Sequence, residues 1–284
     1  NPDTIRGISS SLNADNVRNA FKWTLLHNGL TAWACYGVVG ISLAYMSYKK
    51  GLPLSVRSVL QPLFGKYLSG GLGHTIDIVA ILATIVGLSV TIGYGVSQFA
   101  SGLFNITQFD WLVGENSQPT IGAQLLGLLL IIGASCLSAM SGLHKGIKWL
   151  SNVNMILSMV LILFFMLFGA SVFAFKTFFI TIYDYLLALP DLSFTVWNSN
   201  DSEIIGKLQS WQSSWTIFYW AWWIAFAPFV GIFLARVSKG RTIREYVFGA
   251  IIVPSLICLV WFAFIGGTAI DLELSGVAQV SIIY

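Results

Sequence analysis

About six long apolar stretches limit what this 284-residue chain can fold into. A helix needs about 20 mostly apolar residues to cross the hydrocarbon core of a bilayer, and each stretch is about that long or longer. The stretches cover residues 29–48, 78–104, 121–140, 150–173, 214–235 and 246–264. Only 10% of the residues are charged and the mean hydropathy is +0.77, whereas about 25% of the residues in a soluble domain are charged. The sequence therefore predicts an all-α integral membrane protein that crosses the cell (inner) membrane several times.

Two other segments are more polar than these stretches. Residues 1–27 are polar to amphipathic, which predicts a solvated or interfacial lead-in before the first span. Residues 175–210 are too polar to span, but Phe178 and Ile182 share a helical face, which predicts a helix lying in the membrane plane. Pro190 is predicted to end that helix, because proline cannot donate a backbone hydrogen bond.

The lysine and arginine residues give these spans an orientation. The connections after the first, third and fifth spans are basic, whereas those after the second, fourth and sixth are mostly acidic. The basic residues are Lys49, Lys50, Arg57, Lys66, Lys145, Lys148, Arg236, Lys239, Arg241 and Arg244. The positive-inside rule places these connections in the cytoplasm, so the first span enters from outside. The net charge of +3 does not indicate nucleic-acid binding, and the expected surroundings are membrane lipid.

The fifth span carries an unusual number of aromatic rings. Residues at helical spacings of three and four, which share one broad face, are Trp215, Tyr219, Trp222, Trp223 and Phe226. Membrane helices usually keep tryptophan at their two ends, but Trp222, Trp223 and Phe226 lie near the middle of this span. Rings at that depth either pack or hold a ligand. A quaternary ammonium, which offers no hydrogen-bond donor, is held by ring faces through cation–π attraction.

Pro228 lies two residues beyond Phe226 in the same span. Because proline removes one backbone donor and clashes with the preceding turn, the helix is predicted to be kinked or opened there. Secondary transporters place their binding sites at broken helices in mid-membrane. No ionised side chain lies in the middle of a span, which fits a substrate held by rings and backbone dipoles.

Enzyme and metal-site motifs are absent from the sequence, so we predict neither catalysis nor a cofactor. There is no Gly-rich phosphate loop, no HExxH pair and no GxSxG elbow. The three cysteines have no metal-ligand spacing and are predicted to be small core residues: Cys35, Cys136 and Cys258. Surface or capping roles are predicted for the three histidines, which are His27, His74 and His144.

Two groups of residues in other spans each allow two interpretations. By position alone, Trp33 and Tyr36 belong to the aromatic belt at the membrane interface. Thr84, Ser89 and Thr91 lie in the second span, where hydroxyls usually bond to their own helix carbonyls. The alternative is that some of these oxygens ligate a hard cation such as Na⁺.

Several segments together resemble the betaine/carnitine/choline transporter family. Its signature helix is similar to WTIFYWAWW at 215–223, PFVG at 228–231 and FLAR at 233–236. Residues 27–37 resemble the family's fourth helix, and KGRTIRE at 239–245 resembles its loop after the eighth. The match covers nearly the whole chain, and the aromatic string is highly specific.

The resemblance implies a fold and a function. The family has twelve helices, ten of which form a LeuT-like core of two inverted repeats. Residues 1–284 would then be a single membrane transporter domain that corresponds to about the fourth through ninth helices, without the N-terminal and C-terminal ones. The implied function is secondary active uptake of onium compounds such as choline, glycine betaine or carnitine by alternating access, often in a homotrimer. The alternatives are a membrane-embedded onium or osmotic sensor, and a transporter for a sulfonium osmolyte such as dimethylsulfoniopropionate.

The resemblance also implies the substrate-binding residues. The family's aromatic box falls on Trp33, Tyr36, Trp222 and Trp223. Asn28 and Phe226 stand where betaine transporters usually have tryptophan. These residues make the walls of the binding site more polar or less electron-rich, so the preferred onium compound is left open.

The family's sodium site is matched only in part. Thr84 is retained and Phe229 matches a third contributor, but Leu88 stands where the second hydroxyl belongs and has no ligand atom. The partial match does not predict a sodium ion at this position, and coupling to Na⁺, to H⁺ or to exchange is left open.

Overall fold

The structure, a computed structural model, describes residues 1–8, 14–114, 118–141, 146, 148–197 and 203–277. Within those residues the regular structure is helical. The α-helices are α1 Pro2–Ile5, α2 Ala14–Asn28, α3 Leu30–Tyr48, α4 Val56–Val59, α5 Gln61–Phe64, α6 Gly71–Thr107, α7 Ile121–Met140, α8 Lys148–Phe168, α9 Ser171–Phe194, α10 Glu203–Gln212, α11 Phe218–Val237, α12 Ile243–Val247, α13 Val253–Trp261 and α14 Gly267–Leu274. Short 3₁₀ turns occupy Gly65–Ser69 and Asp110–Leu112. One-turn π-helical segments occupy Ser213–Ile217, Phe248–Ile252 and Phe262–Gly266.

Seven helices in the described residues are long and apolar enough to cross a membrane, which supports the prediction of a multi-pass protein. They are Asp15–Tyr48, Gly71–Thr107, Ile121–Met140, Lys148–Phe168, Ser171–Phe194, Glu203–Val237 and Ile243–Leu274. The additional helix is α9, so the prediction that this segment is too polar to span is wrong by length and composition. Its position in the membrane plane stays a prediction, and that position keeps the ends of α3 and α11 on one side of the membrane, as the contact of Lys239 with Tyr48 requires. The prediction that Pro190 ends this helix is wrong, because α9 continues through it to Phe194. A proline in the last turn costs only one backbone hydrogen bond.

Two compact units make up the chain. The first contains residues 1–82 and 161–284, and the second contains residues 83–160. The core of the second unit includes Ala100, Leu112 and Ala123, which join the end of α6 to the start of α7.

The predicted lead-in forms part of the core of the first unit. Phe21, Trp23, Leu25 and Leu26 in α2 are at most 6% exposed, and α2 packs against α9. The prediction of a solvated or interfacial segment is therefore wrong for these residues. The polar residues of α2 alternate with apolar ones, so its average composition hides a buried face.

An ion pair connects α2 and α9. The guanidinium of Arg18 donates two hydrogen bonds to the carboxylate of Asp184, each 2.7 Å long. We expect Arg18→Gln to lower the melting temperature of the detergent-solubilised protein by about 2–4 °C, since a two-pronged pair at a half-exposed site contributes about 1 kcal/mol. Lys207→Gln is the control, because Lys207 forms an exposed pair with Glu203 on the same helix. An equal shift in both variants would show that the α2–α9 pair adds nothing specific.

Glycines bring α3 and α11 into close contact. A Cβ atom on Gly231 would lie 2.7 Å from Val39 Cγ1 and 3.2 Å from the backbone nitrogen of Gly40. The Tyr246 hydroxyl donates a 3.0 Å hydrogen bond to the Gly37 carbonyl on the same face of α3. This close crossing fixes the helix faces that carry the aromatic rings.

Candidate functional site

Three of the predicted site residues form one ring group where α3 and α11 pack together. The ring centroids of Trp33 and Tyr36 are 6.0 Å apart, and those of Tyr36 and Trp223 are 5.6 Å apart. Both pairs are edge-to-face, with interplanar angles of 82°. Tyr36 is only 6% exposed. The interfacial-belt interpretation of Trp33 and Tyr36 is therefore less favoured, because these rings pack on a ring from mid-span.

A break between α2 and α3 helps to hold this ring group. Gly29 has non-helical backbone angles, with φ −94° and ψ −135°. The last carbonyls of a helix have no partner within that helix, and α2 ends at Asn28. The indole N–H of Trp223 donates a 2.5 Å hydrogen bond to the His27 carbonyl in this last turn. The helix break thus supplies the acceptor that orients the central tryptophan.

A second ring row runs along α11. Trp222 is stacked on Phe226 with centroids 6.4 Å apart, and it contacts Phe218 edge-on at 5.4 Å. The single aromatic face predicted from the sequence is thus divided into two rows, since neighbouring helix residues point about 100° apart. Trp223 lies in the ring group with Tyr36, whereas Trp222 and Phe226 lie in this second row.

A chamber lies at the ends of α2 and α10, beside the His27 residue whose carbonyl holds Trp223. Its volume is about 370 Å³, within the usual size range of small-molecule sites. The side chains that line it include Trp23, His27, Asn28, Trp211, Trp215 and Tyr219. Asn28 is the predicted site residue among them, and its side-chain amide donates to the Thr24 carbonyl. In the predicted orientation this chamber lies toward the outside of the membrane.

His27 links the chamber to the ring group. It is only 2% exposed, its ring is stacked on Tyr219 with centroids 5.1 Å apart, and its Nε2 lies 3.0 Å from Thr216 Oγ1. The prediction of a surface or capping histidine is therefore wrong for His27. Sequence reasoning also missed Trp23 and Trp211, although tryptophan within polar segments was a usable signal.

The family model described as "BCCT, betaine/carnitine/choline family transporter" matches residues 4–284. The chain belongs to the betaine/carnitine/choline transporter family. It is 40% identical over 264 residues to the glycine betaine transporter OpuD of Bacillus subtilis, covering 93% of this chain and 49% of that protein. It is also 40% identical to the osmo-dependent choline transporter BetT2 of Acinetobacter baylyi, covering 89% and 35%. The high-affinity choline transport protein of Escherichia coli is 39% identical, with coverage of 89% and 36%.

Family membership confirms the resemblance read from the aromatic string and the basic loop. The chain spans about half the length, or less, of these curated relatives. Members of the betaine/carnitine/choline transporter family are transporters rather than enzymes, which agrees with the prediction.

Little free space lies beside Trp223 in the conformation described. The cavity beside Trp223, lined also by Thr31, Cys35 and Trp220, has a volume of about 20 Å³. A cavity of that size holds about one water molecule. That cavity is too small for a methylated ammonium group, whereas the chamber beside Asn28 has about 370 Å³.

Pro228 does not open the signature helix. Helix α11 is continuous from Phe218 to Val237 with Pro228 inside it. A π-helical segment that was not predicted, Ser213–Ile217, lies earlier in the chain, next to the chamber. Such one-turn π segments are common at functional sites. The kink at Pro228 stays a prediction.

The residues predicted to couple ions lie in different compact units. Thr84 is half-buried in the second unit, and Phe229, in the first, is 59% exposed. In the same helix as Thr84, the hydroxyls of Ser89 and Thr91 donate to the carbonyls four residues earlier, which favours their structural interpretation. An ion site at Thr84 and Phe229 stays a prediction.

The remaining predictions concern exposed or undescribed residues. His74 is exposed, as expected, whereas Cys136 is exposed on α7 rather than buried. His144 and Lys145 lie outside the described residues.

Proposed function

We propose that the transporter containing this chain is a secondary transporter of small onium compounds, of which choline and glycine betaine are the first candidates. The observation that carries the proposal is the ring group of Trp33, Tyr36 and Trp223 on two membrane-crossing helices. Membership of the betaine/carnitine/choline transporter family and relatives named as glycine betaine and choline transporters support it.

The rings grip the methylated head of the substrate through cation–π attraction. A desolvated contact of this kind contributes on the order of 2 kcal/mol, so two contacts change the affinity roughly a thousandfold. The binding residues are those of the ring group together with Trp222, Phe226 and Asn28. The Trp223 indole is held by the His27 carbonyl, so its ring is oriented before the substrate arrives.

Transport proceeds by alternating access. The substrate enters the chamber from outside, and the ring group opens to receive it before the path to the cytoplasm opens. Coupling to an ion gradient drives accumulation, with Na⁺, H⁺ and substrate exchange as the candidates. Residues 1–284 act as one transporter domain within the longer protein, which assembles as a homotrimer.

Uptake into proteoliposomes tests this function directly. The full-length transporter is given radiolabelled choline, glycine betaine, carnitine or dimethylsulfoniopropionate, with an inward Na⁺ gradient, a proton gradient or neither. We expect saturable accumulation of at least one of the four under one of the gradients. Specific binding without accumulation would indicate a sensor, and neither binding nor uptake would contradict the proposal.

Substrate preference is expected to change with Asn28. This residue lines the open chamber, where a larger ring can be accommodated. We expect Asn28→Trp to raise the affinity for glycine betaine up to about tenfold, because it adds an electron-rich face near the cationic head. Competition binding measures the change, with Asn28→Leu as the control of similar size to asparagine but without a ring. An equal gain in both variants would point to apolar contact rather than to the ring.

A further inference from the structure

A cavity with basic walls lies at the ends of α3 and α11 and the start of α12. Its volume is about 560 Å³, and its lining includes Tyr45, Tyr48, Lys49, Lys239, Arg241 and Ile243. Three of the lining side chains are basic and, among the described residues that form it, none is acidic. In the orientation predicted from the loops, this cavity faces the cytoplasmic leaflet.

Aromatic rings position Lys239, which lines this cavity, and Lys50, which follows the lining residue Lys49 in the chain. The Lys239 ammonium lies 5.6 Å from the ring centroid of Tyr48, and the Lys50 ammonium lies 5.9 Å from that of Tyr45. A ring positions a cation but contributes no formal charge that would neutralise it. The positive charge at the rim is therefore held in place and is still free to attract an anion.

A tight turn presents Lys239 and Arg241 together. Gly240 has a φ of +85°, and the Arg241 N–H donates a 2.9 Å hydrogen bond to the Ser238 carbonyl. This turn puts Lys239 and Arg241 on the lining of one cavity. A guanidinium binds a phosphate through two parallel hydrogen bonds, which makes Arg241 the side chain best suited to the headgroup.

Glu245, an acidic residue close to this lining in the chain, is engaged by Thr242. Glu245 accepts hydrogen bonds from the backbone N–H and the hydroxyl of Thr242, which is the N-terminal cap of α12. It lines the neighbouring cavity with Arg241, so it reduces the local charge without filling this site. The lining keeps a net positive charge.

We propose that this cavity binds the headgroup of an anionic phospholipid of the cytoplasmic leaflet. The basic rim takes the phosphate, and the exposed rings of Tyr45 and Tyr48 with Ile243 cover the glycerol and the first acyl carbons. Tyr45 is 50% exposed and Ile243 is 65% exposed, which leaves apolar surface beside the charges. Basic pockets between membrane helices on the cytoplasmic side are suited to such headgroups. The proposal is independent of the transported compound.

Lipid association tests the site in the full-length transporter. The protein is reconstituted in phosphatidylcholine vesicles with spin-labelled phosphatidylglycerol or spin-labelled phosphatidylcholine, and the bound fraction gives a relative association constant. We expect a preference for phosphatidylglycerol that falls about 30-fold at this one site in K239Q/R241Q. The control K66Q/K148Q removes the same charge from two exposed residues that do not line the cavity and should keep the preference.

The same measurements distinguish the other possible outcomes. An unchanged preference in K239Q/R241Q, or an equal loss in K66Q/K148Q, would overturn the proposal. Displacement of the labelled lipid by millimolar inorganic phosphate would show a site for free anions and would also overturn it. If K239Q/R241Q is not monodisperse after purification, K49Q alone is measured, and a several-fold loss of preference is expected.

Discussion

Trp223→Leu is expected to lower the apparent affinity for the onium substrate by at least about 30-fold. The substitution removes the ring that packs edge-on against Tyr36 and loses a cation–π contact of about 2 kcal/mol. It also removes the hydrogen bond to the His27 carbonyl, which leaves that buried acceptor without its side-chain partner. Concentration-dependent uptake in proteoliposomes measures the change.

Two further variants separate the ring from general damage. Trp223→Phe keeps a ring and should recover part of the affinity, although the indole N–H is lost. Trp149→Leu is the matched control, because Trp149 is 67% exposed on α8 and outside the ring group. Wild-type uptake by Trp223→Leu, or an equal loss in Trp149→Leu, would remove this ring from the binding site.

Gly231→Val is expected to have the largest effect on folding. Its side chain would enter the space already filled by Val39 and by the backbone of Gly40, where α3 and α11 are in contact. Inserting methyl groups into a well-packed contact costs about 1–3 kcal/mol, and here backbone lies on the opposite side and cannot give way. We expect a much lower yield of monodisperse protein and a melting temperature lower by several degrees.

Gly93→Val provides the comparison for this packing effect. Gly93 lies in α6, where an added Cβ meets nothing within 4 Å. Both variants replace glycine with valine within an apolar helix, so the change in helix propensity is the same. They differ in the space available for the valine side chain. Similar yields from the two would contradict the close helix crossing that positions Trp33 and Tyr36.

The helix positions could largely be predicted from the sequence because the bilayer fixes the length and polarity of a span. The predicted third span, residues 121–140, has the same bounds as α7. The aromatic string and the basic loop also predicted the family, since both combine residue types that a packing helix does not require. Trp33, Tyr36 and Trp223 were predicted as site residues and are found together.

The structural role of α2 could not be predicted in the same way. Its polar and apolar residues average to a hydrophilic segment, and only the three-dimensional packing shows that one face is buried against α9. The burial of His27 depends on Thr216 and Tyr219, which are about 190 residues away along the chain. Helix geometry separates Trp222 from Trp223, but only the packing shows that Trp223 is the one that meets Tyr36 of α3.

Fluorinated tryptophans at position 223 test most directly whether ring faces hold the cation. Successive fluorine atoms withdraw electron density from the indole while changing its shape little, so they weaken cation–π attraction stepwise. Onium binding is measured for the full-length transporter with zero to four fluorines at residue 223, and with the same series at Trp149. We predict a steady fall in affinity with each fluorine at position 223 and no change at position 149. Equal affinity across the whole series at position 223 would show that this indole packs within the protein and does not hold the substrate.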